Sequence, residues 1–505
     1  MDTTTKIVQQ VKAARRVSAP LVAIQTPDPA ATVNAIKVAI EEINASIPLV
    51  HWDIVRGVMG LNKAGDSAKN SVYEDETYNP LDLLAHAARL PEGVMVFVHM
   101  AHRFMTGNSS VDAQQFLQGV WNLRDHFKGK KQMLVMLGTT FKLPGELSND
   151  VLLIDEPLPD AEQLAAIVRE QYENGEVEID EPTVALAVEA VQGLSAFTAE
   201  QVAAMSLTEQ GMDVDALWER KRKMIEQTPG LKVHRGEEKF ADIGGLDNLK
   251  TFLGRVIHGK SRPNAVVFID EIEKAMAGAS GDTSGVSQDQ LGAILTWMQD
   301  HAATGCILVG PAGTGKSNIA KATGNEAGIP TITMDLGASK GSLVGASEEN
   351  IRANLKTISA VSNGRSVWIA TCNSITEIKP ELRRRFGLGI FFMDLPDDAE
   401  RKPIWEIWLG KYGLDASQER PEDTDWTGAE VKQCCDLAWR LDCTLVEASQ
   451  YVVPVAKSAA DSIERLRSLA DGKFLHASKP GLYTRRQPAA NALPTGKRKL
   501  QTQGA

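Results

Sequence analysis

The stretch CILVGPAGTGKSNIAKATGNEA, residues 306–327, limits what this chain can fold into more than any other. Cys306, Ile307, Leu308 and Val309 read as a short buried strand, and Asn318 to Ala327 read as a helix. The loop between them, Gly310, Pro311, Ala312, Gly313, Thr314, Gly315, Lys316 and Ser317, fits GxxxxGKS. Its glycines let backbone N–H groups turn inward without Cβ clashes, so loop and helix N-terminus together form a cradle for a phosphate chain. Lys316 then reaches the terminal phosphates, the Ser317 hydroxyl can ligate Mg²⁺, and Asn318 opens the helix beside them.

A second string, VVFIDEIEKA at residues 266–275, comes before that loop. Val266 to Ile269 read as a fully buried parallel strand that delivers Asp270 and Glu271 at its carboxyl end. Beside a triphosphate those two acids suit two tasks. Asp270 would hold the Mg²⁺ shell, and Glu271 would polarise the water that attacks the γ-phosphate. A nucleotide-dependent motor ordinarily presents the phosphate loop first, so the two halves of an ATP site stand here in reversed order.

With these strings in place, the chain resembles an AAA+ ATPase. FADIGGLDNLK, residues 240–250, resembles the leading segment whose backbone around Asp242, Ile243 and Gly244 cups the adenine. IATCN ends in Asn373, similar to the polar sensor that orients the water and reports γ-phosphate loss. PELRRRFGLGIFF, residues 380–392, resembles the segment bearing arginine fingers, with Arg385 the best match and Arg383 the second. WTGAEV, residues 426–431, is similar to the start of a lid helix, where Gly428 lies near the base. The finer resemblance is to the conserved chloroplast-reading-frame branch, which has one AAA+ module behind a degenerate RecA-like domain. IDEIEKAMAGASGDTSGVSQDQLGAILTWMQDH and FLHASKPGLY are both similar to its stretches. This resemblance implies two P-loop-type (RecA-like/AAA+) α/β domains with three-layer parallel sheets, each followed by a small helical subdomain. It also implies ATP and Mg²⁺ as ligands and a homo-oligomeric ring, of six by family resemblance.

Moving residues 263–305 to between Gly364 and Arg365 would restore the family's order. AAA+ domains place five parallel strands in the spatial order 5, 1, 4, 3, 2, and this chain would visit them as 3, 1, 2, 4, 5. Every crossover keeps its original direction, so right-handed connection puts each helix on its customary face. Residues 301–305 must reach strand 1, and residues 362–366 must skip one strand spacing of about 5 Å. A few residues at about 3.3 Å each cover such a span. The site is therefore expected to assemble.

Residues 1–160 alternate strands and helices, with LVAIQT (21–26), LVHWDI (49–54), VMVFVHM (94–100) and QMLVMLGTT (132–140), as a parallel α/β sheet does. Thr26, Pro27, Asp28 and Pro29 follow its first strand, without Gly or Lys, and His99 and Met100 stand where metal-binding acids would. No ATP is expected there, and VLLIDEP, residues 151–157, reads as a strand entering a linker. Residues 161–227 read as a helical subdomain in which Thr198 and Gln201 match a capping box. A linker over 228–240, an AAA+ core over 241–398, a helical lid over 399–470 and a basic, disordered tail over 471–505 complete the expected layout.

With 54 basic and 65 acidic residues the net charge is −11, which argues against coating nucleic acid. Yet Lys473, Lys479, Arg485, Arg486, Lys497, Arg498 and Lys499 gather in an acid-free end, leaving nucleic acid or an acidic protein open as its partner. No apolar run nears the roughly 18 residues of a membrane span and the N-terminus lacks a signal-peptide core, so no membrane association and a cytosolic location are expected. The five cysteines fit a reducing compartment, and neither they nor the nine histidines show metal-site spacing. Three function classes remain: an ATPase that remodels an unidentified protein, a nucleotide-gated scaffold with little turnover, and a nucleic-acid-associated motor. Substrate-threading relatives carry an aromatic residue where KGSLVG, residues 340–345, has Leu343, which weakens the unfoldase case.

Overall fold

Strands that are apolar at consecutive positions must be covered on both faces, and the inner strands of both sheets obey that rule. The computed structural model describes residues 3–73, 77–105, 111–141, 143–260, 262–273, 286–336, 346–373 and 380–485. Two units divide after Lys221. In the first, β1 (Leu21–Gln25), β2 (Leu49–Asp53), β3 (Gly57–Gly60), β4 (Met95–Val98), β5 (Met133–Gly138) and β6 (Leu152–Asp155) form one sheet in the order β3-β2-β4-β5-β1-β6. Pairing is parallel throughout except between β2 and β3. Ile7, Val11, Val33 and Ile36 of two helices pack on one face, and Leu83, Phe116, Val120 and Phe127 of two others on the opposite face.

The turn after β1 is closed by its own side chains. Asp28 caps the helix Pro29–Glu41 by accepting from the Ala31 N–H at 3.1 Å, while the Thr32 hydroxyl reaches Thr26 Oγ1 at 2.8 Å and Glu156 Oε2 at 2.7 Å. Beyond this sheet come the helices Ala161–Asn174, Glu181–Val191, Ala196–Ala204 and Val214–Glu226, with a hairpin of β7 (Leu207–Thr208) and β8 (Gly211–Met212). The cap predicted at Thr198 lies three residues earlier. Ser195 accepts from the Thr198 N–H at 3.3 Å, because the helix already begins at Ala196.

The second unit holds β9 (Leu231–Val233), β10 (Ala265–Ile269), β11 (Thr304–Val309), β12 (Thr331–Met334), β13 (Ser366–Cys372), β14 (Gly389–Phe392) and β15 (Leu475–His476), ordered β15-β14-β11-β13-β10-β12-β9. The five expected strands thus lie as 5, 1, 4, 3, 2. Strand for strand, the parallel cores of the two sheets have the same spatial order, β2, β4, β5, β1, β6 against β12, β10, β13, β11, β14, threaded differently. The two altered connections are tight turns. Ala303 N–H closes on Met298 O at 2.9 Å just before β11, and Gly364 N–H on Ser359 O at 3.0 Å just before β13.

Two expectations need correction. Residues 228–240 are not a free linker, since Leu231–Val233 pairs antiparallel with β12 and buries Leu231 and Val233 on either side of an exposed Lys232. Nor are residues 471–485 a disordered tail. Leu475 and His476 pair with Phe391 and Phe392, and Phe474, Ala477 and Tyr483 are buried. These apolar residues outweigh the basic ones around them. Leu343, Lys274 and Ala275, and Arg486, Lys497, Arg498 and Lys499 lie outside the described residues. Among the described residues no helix is long and apolar enough to cross a membrane.

Candidate active site

Three neighbouring strands end at one place. The register pairs Ile269 with Ala370 and Val309 with Cys372, so Asp270 after β10, Thr371 to Asn373 at the end of β13, and Gly310 after β11 sit side by side. This is the carboxyl edge of a parallel sheet, where open α/β sheets form their ligand crevices. From Gly310 the loop crosses to the helix Lys316–Ala327 through Gly313 at φ 83° and Gly315 at φ 90°, a backbone that disfavours side chains. A Cβ on Gly313 would lie 2.6 Å from Thr427 Oγ1 at the head of the helix Gly428–Leu441.

Lys316 is buried, and its Nζ donates to Gly310 O at 2.8 Å and Pro311 O at 2.6 Å. Burial lowers its ammonium to about 8, against which Glu273, Asp270 and Glu271 pull upward. The neighbouring Ser317 hydroxyl donates to Asp270 Oδ1 at 3.1 Å. A hydroxyl and one carboxylate at that separation suit Mg²⁺, which takes few protein oxygens and keeps water or phosphate on its other positions. No cluster of three or more His, Cys, Asp or Glu among the described residues is arranged to hold a metal by itself.

The acid pair is held from the strand beside it. Thr371 Oγ1 donates to Asp270 Oδ1 at 2.5 Å and accepts from the Glu271 N–H at 3.0 Å. Glu271 itself adopts φ 53°, a left-handed backbone costing a non-glycine residue roughly 1 kcal/mol. Asn373 Nδ2 donates to Glu271 Oε1 at 3.0 Å, and the Asn373 N–H donates to Glu273 Oε1 at 3.0 Å. Glu271 and Asn373 are therefore mutually oriented, with Glu273 holding the asparagine backbone.

These groups face a cleft of about 380 Å³. Of the residues singled out in the sequence, Asp242, Ile243, Gly244, Asp270, Glu271, Ala312 to Asn318, Asn373 and Gly428 line it. Gly310 and Pro311 stand behind, as acceptors for Lys316. Arg383 and Arg385 are not among the lining residues; Arg383 is exposed, and Arg385 hydrogen-bonds Gln299 of the helix Val286–Asp300. Sequence reasoning passed over Thr371, Glu273, Ile404, Trp408 and Ser478. Thr371 looks like any β-branched residue in a buried strand, whereas the cleft-lining Trp408 follows Ile404 at helical spacing and so marks one helix face.

Comparison with known proteins agrees with this geometry. Residues 7–156 match the SpoVK-like AAA ATPase N-terminal domain, residues 162–228 the second domain of the same proteins, and residues 306–367 the ATPase family associated with various cellular activities (AAA). The acid-bearing β10 precedes that last stretch. The chain is similar to the uncharacterized AAA domain-containing protein ycf46 of Guillardia theta, at 23% identity over 91% of this chain and 94% of the relative. It is similar also to the ycf46 proteins of Trieres chinensis, at 24% over 77% of this chain and 80% of the relative, and of Gracilaria tenuistipitata var. liui, at 24% over 70% and 76%.

Proposed function

The chain belongs to the AAA ATPase family, and from that premise we propose that the cleft of its second unit binds ATP with Mg²⁺ and hydrolyses it to ADP and phosphate. The observation that carries the reading is convergence: Ser317 Oγ lies 3.1 Å from Asp270 Oδ1, and Asn373 Nδ2 3.0 Å from Glu271 Oε1, on residues about 50 to 100 positions apart in the chain. In the reaction, a water oxygen bonds to the γ-phosphorus as the bond to the β,γ-bridging oxygen breaks. Glu271 takes the water's proton, Asn373 holds Glu271 and the water in line, and Lys316 leaves its carbonyl acceptors for the phosphate oxygens. Mg²⁺, held by Ser317 and by the Asp270 shell, would neutralise charge on the β- and γ-phosphates. The leading segment at Asp242, Ile243 and Gly244 and the lid residue Gly428 would enclose the base.

By the same reading, Arg385, supported by Arg383, completes the site of a neighbouring subunit in a ring, and turnover drives the remodelling of a macromolecular partner. The test of the site is Lys316→Ala. Loss of a charge-assisted contact is expected to weaken ATP binding at least tenfold to hundredfold, or about 1.5–3 kcal/mol, measured by calorimetric titration with Mg²⁺ present. Affinity equal to that of the unaltered chain would remove this cleft as the ATP site.

A second expectation concerns Thr371. Thr371→Val keeps the shape but removes the hydroxyl that accepts from the Glu271 N–H and donates to Asp270 Oδ1, which retains its bond from Ser317, a penalty of about 1–3 kcal/mol. Turnover should fall about tenfold or more with KM little changed, and Thr371→Ser should restore it. Steady-state phosphate release reads both, and a valine variant at full kcat would exclude the role.

A further inference from the structure

FLHASKPGLY, Phe474–Tyr483, has no part in the hydrolytic scheme, yet it is tied to the sheet edge, to the leading segment and to the cap of the helix Asp398–Tyr412. Its strand β15 extends the sheet from β14, and the Ala477 N–H donates to Phe392 O at 3.1 Å. On the leading segment's side, Ala477 O accepts from the Leu249 N–H at 2.8 Å and His476 O from Asn248 Nδ2 at 2.7 Å. At the passage from core to lid, the Tyr483 hydroxyl donates to Asp394 Oδ2 at 2.7 Å, and Arg467 Nε donates to Asp394 Oδ1 at 2.9 Å. Lys479 approaches Asp397, the cap of the first lid helix Asp398–Tyr412, at 3.3 Å. A short hairpin closes the segment, with Tyr483 N–H on Phe474 O at 2.8 Å and His476 N–H on Gly481 O at 3.0 Å.

At the crossing point of these ties stands Ser478. It lines the cleft together with Asp394, and it also lines an adjoining depression walled by Ile243, Gly244, Gly245 and Glu400, to which the phosphate loop does not contribute. Ser478 therefore belongs to the end of the site away from Lys316 and Ser317. Its backbone is fixed by a hydrogen bond from its N–H to His476 Nδ1 at 3.1 Å, so the hydroxyl is presented from a braced position.

We propose that this C-terminal strap is an integral wall of the nucleotide site and that the Ser478 hydroxyl hydrogen-bonds the nucleoside half of the ligand. A hydroxyl both donates and accepts, so it can meet a base edge or a ribose hydroxyl. The strap bridges leading segment, sheet edge and lid cap, so nucleoside contact and the core-to-lid passage are held by one element. The inference rests on the reading of the cleft as an ATP site.

The test uses the full chain titrated by calorimetry with ATP and, separately, with inorganic tripolyphosphate, which has no nucleoside. Ser478→Ala should weaken ATP about three- to tenfold, the range of one hydrogen bond, and leave tripolyphosphate unchanged. Ser478→Trp, which fills that end of the cleft, should weaken ATP more than tenfold and again spare tripolyphosphate. Ser478→Ala at unaltered ATP affinity overturns the contact, as does an equal loss for both ligands, because a strap acting only through folding would not distinguish them. A chain whose ATP affinity is indifferent to Lys316→Ala overturns the underlying site instead.

Discussion

Replacing Glu271 by glutamine is expected to lower ATP turnover by roughly 10²- to 10⁴-fold, the usual worth of a positioned general base. ATP affinity should stay within about twofold of the unaltered chain. Glutamine keeps the length of the side chain and an oxygen for Asn373 Nδ2, so the 3.0 Å contact persists while the group that takes the water's proton is gone. Lys316, Ser317 and Asp270 are untouched, so the phosphates should bind as before. Single-turnover phosphate release beside a binding titration separates the two effects. Equal turnover would remove Glu271 from the mechanism, whereas parallel loss of binding would make it a structural support for Asp270. The arrangement around it favours the chemical role: φ 53°, a hydroxyl on its N–H and an amide on its carboxylate are three constraints on one half-buried acid. Backbone strain at a ligand-facing residue persists only where its surroundings over-determine it.

How much of this could be read beforehand follows from how local each signal is. The phosphate loop declares itself because strand, glycines, lysine and helix are contiguous, and φ values of 83° and 90° at Gly313 and Gly315 are what its glycines are for. The sheet order was also legible, since the resemblance to AAA+ domains supplies the order 5, 1, 4, 3, 2 and right-handed crossovers let the reordered chain keep it. Edge strands were not. Leu231–Val233 and Leu475–His476 are too short to show periodicity, and the strands they add to, β12 and β14, lie far away in sequence. The end of the chain was weighed by its lysines and arginines, but Phe474, Ala477 and Tyr483 bury apolar surface worth more than a few solvated charges cost. Thr371 escaped for a different reason. Its chemistry depends on which strand lies beside β10, and that is a property of the fold and not of its neighbours in sequence.

The comparison of the two sheets bears on the reversed order of the motifs. In the first unit the chain lays β1, β2, β4, β5 and β6 in one sequence; in the second it starts at the place of β4 and returns to the place of β1 by way of the helix Val286–Asp300. Both routes end in the same spatial order of parallel strands, because a strand's neighbours are chosen by the apolar faces it must cover and by the hand of its crossover. The active groups ride on strand ends. Hence Asp270 and Ser317 meet at 3.1 Å whichever of their strands is laid first.

Arg385→Ala is expected to lower turnover by roughly 10³-fold or more, the worth of an arginine finger, although Arg385 does not line its own chain's cleft. On the proposed reading such a residue acts on another copy. Its bond to Gln299 is an exposed hydrogen bond, worth about 1 kcal/mol, so leaving it for a phosphate costs little. Mixing is the decisive measurement. Arg385→Ala subunits keep Lys316 and Glu271 but supply no finger; Lys316→Ala subunits bind ATP weakly but present Arg385. Each alone should be nearly inactive, and an equimolar mixture should regain a substantial share of the activity at sites where the two meet. A mixture as inactive as its parts would place Arg385 in its own subunit's site, and an active Arg385→Ala protein would reduce the arginines to a basic surface. Arg383→Ala, one helical half-turn away and exposed, should lose far less. Turnover per subunit should also rise with protein concentration in the unaltered chain and stay flat in Arg385→Ala, because only the former gains a catalytic group by assembling.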